Sequence, residues 1–144
     1  MIEELLKNIP DKNQWLATTS HKFKSDVWEF CQDPMFKEMH VVELGTSNGH
    51  STHILSYLFD QVHTVNNNES VFAKEFNIDL YLLEWQIKKG DVFFIDADHS
   101  YEGVCSDIVN SLKVKSNILD KKILIFDDYG LQQYEYTVKR AINE

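Results

Sequence analysis

The sequence has 144 residues, the length of one compact domain, and 43% hydrophobic and 12% aromatic content supports a real core and excludes a disordered chain. A formal net charge of −9 argues against nucleic acid as a partner, because that binding draws on Lys and Arg over phosphates. It suits a small neutral or cationic substrate, and no run approaches the ~18 apolar residues of a membrane span.

Residues 2 to 8 and 22 to 31 read as short amphipathic helices, the second with Phe23, Val27, Phe30 and Cys31 at helical spacing. Met1 to Pro10 carries Glu3 and Glu4 and no long apolar run, so it does not read as a signal peptide. Pro34 breaks the chain. Val41 to Leu44 is a short strand ending at Gly45, and residues 50 to 59 are a helix with Ile54, Leu55 and Leu58 on one face. Val62 to Val65 is a second strand, Asn66-Asn67-Asn68 a turn, Glu69 to Phe76 a short helix and Leu80 to Leu83 a weaker strand. Asp91 to Asp96 and Lys122 to Asp127 are continuous apolar runs, as expected for strands buried on both faces. Between them residues 101 to 115 are helical with Val104, Ile108 and Leu112 inward, and residues 131 to 142 close the chain as a helix. Cys31 and Cys105 lack CxxC spacing and read as reduced thiols of a cytoplasmic protein.

Alternating strands and helices predict an α/β fold of parallel βαβ units. The chain reads as a single domain, with N-terminal helices over 1–39 and a binding core over 40–144. Ligands in such sheets lie beyond the carboxyl ends of the strands. Three polar clusters fall there: Gly45 to Gly49, Asp96 to His99, and Asp127-Asp128. Gly45 permits a tight turn and Gly49 a close approach of ligand to backbone, while a helix starting near Ser51 points free N–H groups at the same space. Glu43 either serves a ligand amino group or caps the loop from below. The plain alternative is a strand-to-helix loop with Ser51 as its cap. Asp96, Asp127 and Asp128 would repel one another unless a cation sits between them, and an all-oxygen set suits Mg²⁺. The plain alternative is that Asp127 or Asp128 caps the last helix. His99 is either a general base or a loop hydrogen-bonder. Trp15, His21, Phe23 and Trp28 either form an aromatic lid or pack the N-terminal helices on the sheet.

The segments ELGTSNGHST, FFIDADHSYEGV and ILIFDDYG, in this order and spacing, resemble a class I S-adenosylmethionine-dependent methyltransferase of the small-molecule O-methyltransferase type. Catechol and macrolide-sugar O-methyltransferases are more remotely similar. The resemblance covers roughly residues 40 to 130. It implies a Rossmann-like three-layer sandwich. Glu43, Gly45, Thr46, Ser47 and Gly49 match the loop around the methionine part of the cofactor, and Ser51 and Thr52 the start of the helix behind it. Asp96, Asp127 and Asp128 match the metal ligands of the metal-dependent relatives, and His99 matches their base. The acid that usually grips the ribose is replaced by Asn66, with Glu69 as the nearest substitute. The chain stops at Glu144, before the usual C-terminal antiparallel strand pair, so an open sheet edge near Lys122 to Asp127 predicts a homodimer or higher oligomer. The implied activity is methyl transfer from S-adenosylmethionine to a small-molecule hydroxyl with Mg²⁺ assistance. The alternatives are a cofactor-binding protein without transfer and an enzyme that degrades the cofactor.

Overall fold

The computed structural model describes residues 1–11, 19–45, 49–65, 79–81, 89–96, 100–118, 121–127 and 135–144. Two helices open the chain, α1 (Ile2–Leu6) and α2 (His21–Phe30), followed by a 3₁₀ turn at Pro34–Glu38. Ser20 caps α2 by accepting from the Phe23 amide, and Asp33 caps the 3₁₀ turn by accepting from the Met35 amide. Strand β1 (His40–Leu44), helix α3 (His50–Leu58), and strands β2 (Gln61–Val65), β3 (Asp79–Tyr81) and β4 (Val92–Ile95) follow. Helix α4 (Tyr101–Lys113) is capped by Ser100 and leads to β5 (Ile123–Phe126). A π-type turn at Glu135–Lys139 and helix α5 (Arg140–Asn143) end the chain.

The five strands form one sheet in the order β3-β2-β1-β4-β5, and every pairing is parallel. The chain lays β1, β2 and β3 outward on one side, then returns to place β4 against the other side of β1. That reversal is the topological switch point of a doubly wound sheet. Alternate side chains feed the two faces. Val41, Val62, Val92 and Phe94 pack under α1, α2 and α3, together with Val27, Ile54, Leu55 and Leu58. Val42, Leu44, Phe93 and Ile95 form the opposite face. There α4 and α5 meet through Val104 and Ala141, with Phe126 of β5 against them. The sandwich therefore has three layers.

Several expectations shift. Leu112 does not turn inward but is 57% exposed, and Ser111 is buried in its place. The inward face of α4 thus runs Val104, Ile108, Ser111. Phe30 is likewise exposed, and Lys24 fills the buried face of α2 with Val27 and Cys31. β5 is half-buried along its whole length rather than buried on both faces, because among the described residues no strand pairs with its outer edge. Of the final helix, among the described residues Arg140–Asn143 is α-helical and Glu135–Lys139 before it is a π-type turn. The helix expected over 69–76 lies outside the described residues.

The amino edge of the sheet is tied by a residue read only as the start of a strand. Asp91 is fully buried, and its carboxylate accepts from the amides of His40 (3.1 Å), Asn117 (2.9 Å) and Ile118 (2.9 Å). Before it, Gly90 occupies a place where a Cβ would fall 2.7 Å from both Phe93 and Val42, so only a residue without a side chain fits there.

The two cysteines lie in different clusters, Cys31 with the first face and Cys105 beside Val104. Both are free thiols, and burial pushes the Cys31 thiol up to about 12. Reactivity follows the thiolate and its exposure. In a thiol-reagent titration of the native protein, Cys105 is expected to react first, and Cys31 only on unfolding. Rapid labelling of both in the native state contradicts this packing.

Candidate functional site

Strand register brings the polar clusters to one level. Leu44 of β1 pairs with Val65 of β2 and with Ile95 of β4, and Ile95 pairs with Phe126 of β5. The next residues on β1, β4 and β5 are Gly45, Asp96 and Asp127, which therefore leave the sheet side by side at its carboxyl rim. Backbone bonds fix the row: the Gly45 amide donates to the Val65 carbonyl and the Asp96 amide to the Leu44 carbonyl, both at 2.9 Å.

The turn after β1 is built on two left-handed residues. Gly45 has φ 102° and Gly49 has φ 82°, a region that L side chains seldom adopt. Gly49 is itself the N-cap of α3, with no side-chain cap. Ser51 does not cap the helix, because it lies inside its first turn; its hydroxyl pairs with that of Thr19 at 3.2 Å. The N-terminus of α3 therefore opens at the rim, directly after the glycine turn.

Glu43 lies beneath this turn and is 1% exposed. Its Oε2 accepts from the hydroxyls of Thr52 and Thr64, the latter at 2.7 Å. One carboxylate thereby ties β1 to α3 and β2. Burial raises its pKa to about 7, against the opposing hydrogen bonds of Thr52 and Thr64 and the attraction of Lys24. The described contacts of Glu43 are thus to α3 and β2.

Lys24 is the residue that the sequence reading missed, although a charge inside the apolar spacing Phe23, Val27, Cys31 was its signal. It is 3% exposed in the first turn of α2. Its ammonium donates to the Thr19 carbonyl at 2.7 Å and to the Thr19 hydroxyl. Burial lowers its pKa, while Asp127, Asp11, Asp96 and Glu43, in that order, hold it up. It lines a small recess with Phe23, Val27, Ser51, Ile54 and Phe94.

The aromatic lid is not what the described residues form. Phe23 packs on Phe94 at a centroid distance of 5.5 Å, Trp28 joins the core, and the His21 ring contacts the Ile9 carbonyl at 2.5 Å. These side chains hold α2 to the sheet. Trp15, Thr46, Ser47, Asn66, Glu69, His99 and Asp128 lie outside the described residues. Among the described residues no three potential ligands gather as a metal site. Asp96 and Asp127 supply two of the three expected carboxylates, and the third, Asp128, lies outside the described residues.

No family model and no curated relative matches the sequence. Solved structures do match in shape. An O-methyltransferase from Bacillus cereus, solved in complex with S-adenosylhomocysteine, superposes with TM-score 0.67 at 17% identity, over 99% of this chain and 76% of that one. The N-methyltransferase NodS from Bradyrhizobium japonicum, also solved with S-adenosylhomocysteine, gives 0.53 at 11% identity, over 79% of this chain and 67% of that one. At these identities the likeness is one of fold: the chain has the Rossmann-like methyltransferase fold, with a glycine turn and two carboxylates at the rim where its strand order reverses.

Proposed function

We propose that this chain is an S-adenosylmethionine-dependent methyltransferase that acts on a hydroxyl of a small molecule. The observation that supports the reading is the common level of Gly45, Asp96 and Asp127 beyond the β1/β4 switch point, in a fold shared with two methyltransferases that were solved with S-adenosylhomocysteine. In this reading Gly45, Thr46, Ser47 and Gly49 wrap the methionine part of the cofactor. Ser51 and Thr52 present the helix N-terminus to it, and Asn66 reaches the ribose. Glu43 acts from below by holding α3 against β1.

The acceptor hydroxyl lies over Asp96, and His99 takes its proton. The oxygen attacks the sulfonium methyl in line, the C–S bond breaks, and S-adenosylhomocysteine leaves. Alignment of the two reactants supplies much of the rate. A metal-assisted form of the reaction needs Asp128 as a third ligand beside Asp96 and Asp127; a cation there would acidify the hydroxyl. Self-association through the outer edge of β5 belongs to the same reading, since among the described residues no strand pairs with that edge.

Calorimetry with S-adenosylmethionine and S-adenosylhomocysteine tests the pocket. Both are expected to bind, and Gly49→Val, which forces a branched side chain into the left-handed region, is expected to weaken both without unfolding the chain. Mass spectrometry after incubation with hydroxylated acceptors should then show S-adenosylhomocysteine with a methylated product. Absence of binding removes the reading. Breakdown of the cofactor without an acceptor favours the degrading enzyme instead.

A further inference from the structure

We propose that His40 and His63 form a two-imidazole site for a borderline divalent ion, Zn²⁺ by its geometry, on the sheet face shared by β1 and β2. The inference does not rest on the methyltransferase reading.

Strand parity puts the two residues on one face. In the parallel register of β1 and β2, His40 pairs with Gln61 and Val42 with His63. Residues two apart along a strand share a face, and so do register partners. The rings meet across the strands: His40 Nδ1 lies 3.2 Å from His63 Nε2, the ring centroids are 5.3 Å apart, and the planes are tilted by 34°. Without an ion, one of these nitrogens donates a proton to the other. Each neutral imidazole has a tautomer that turns a lone pair to the gap instead, which is the form a metal takes. Zn²⁺ holds imidazole nitrogens at about 2.0–2.1 Å, so two ligands of a tetrahedral site stand about 3.3–3.4 Å apart. Two adjacent ligands of a square site would stand about 2.8–2.9 Å apart. The observed separation is nearer the tetrahedral span, and small ring movements close the difference.

The backbone holds both ligands. Asp91 grips His40 twice: its carboxylate accepts from the His40 amide at 3.1 Å, and its own amide donates to the His40 carbonyl at 2.9 Å. Strand β2 is paired on both sides, with β1 and with β3, so His63 sits inside a ladder. A pair fixed in this way gives up little backbone freedom on binding. Both side chains are half-buried, so solvent can complete the coordination. Nitrogen ligands suit Zn²⁺, Ni²⁺ and Cu²⁺, whereas Mg²⁺ and Ca²⁺ prefer oxygen. An ion held here bridges β1 to β2, and because it binds the folded chain it adds to stability.

The test is calorimetric titration of Zn²⁺ into the full chain. One saturable site is expected, which excess Mg²⁺ does not displace. His40→Gln and His63→Gln each keep a hydrogen-bonding side chain and remove the imidazole. Each is expected to weaken Zn²⁺ binding at least about tenfold, and the double variant about as much as either alone, because loss of one arm already breaks a chelate. Cys105→Ser removes the less buried of the two thiols and is expected to leave the affinity unchanged. Absence of saturable binding overturns the proposal, as do folded histidine variants that bind Zn²⁺ as tightly as the unaltered chain. If circular dichroism shows that the histidine variants do not fold, X-ray absorption of the equimolar Zn²⁺ complex of the unaltered chain decides. Two imidazoles with oxygen and no sulfur support the site; a single imidazole or any sulfur overturns it. Failure to bind S-adenosylmethionine would remove the proposed activity and leave these ion-binding outcomes unchanged.

Discussion

Asp91→Ala is expected to cost on the order of 3 kcal/mol of folding stability. The carboxylate is fully buried and accepts three backbone amides from two separate segments. Its removal takes the shared acceptor away from the N–H groups of His40, Asn117 and Ile118. A donor left unsatisfied carries a desolvation cost, and hydrogen bonds to a charged acceptor are stronger than neutral ones. Domains of this size are stable by only about 5–15 kcal/mol, so the loss is a large fraction of the total. The damage should also be local in kind. His40 opens β1, and Asn117 and Ile118 lie in the connection from α4 to β5, so the amino edge of the sheet loses the clamp between its centre and its last strand. Asp91→Asn keeps the size but turns an amide toward some of the donors, and is expected to recover part of the stability. Urea denaturation at neutral pH measures both. A loss below about 1 kcal/mol for Asp91→Ala, the worth of a single ordinary hydrogen bond, contradicts the clamp.

Glu43→Gln is expected to remove a pH dependence of stability between about pH 4.5 and pH 7. The sign follows from the raised pKa. Over this interval the folded protein keeps a proton on Glu43 that the unfolded chain has released, so raising the pH works against folding. The contribution is fully present below the ordinary carboxylate value and is lost as pH rises through about 7. Above that point the fold holds a charged carboxylate among apolar groups, helped by Thr52, Thr64 and Lys24. The difference amounts to up to about 3 kcal/mol. His50 acts in the opposite direction. Its pKa is depressed by burial, so its contribution is present above the ordinary imidazole value and is lost as pH falls through the depressed one. The informative quantity is therefore the difference in melting temperature between the two proteins at each pH. Glutamine is expected to be the less stable at pH 5 and equal or better at pH 8. A difference that does not change across this range shows that burial does not control the Glu43 proton.

The sequence by itself determined the sheet and the level at which chemistry could occur. Apolar runs at Val41 to Leu44 and Asp91 to Asp96, each ended by a glycine or an acid, announced parallel strands whose carboxyl ends carry polar groups. A parallel sheet then brings Gly45, Asp96 and Asp127 to one rim, because all its strands point the same way and their register is fixed by the buried faces. The tertiary structure decided which face each helix presents and where each isolated charge goes. Helical periodicity allows more than one apolar stripe on a short helix, and packing selected the one that buries Lys24 and Ser111 and exposes Phe30 and Leu112. It also turned Glu43 inward to Thr52 and Thr64, placed Thr19 between Lys24 and Ser51, and gave Asp91 three amides from distant segments. Those partners lie up to 51 residues apart, and spacing along a chain carries no information about contacts that only the closed core creates.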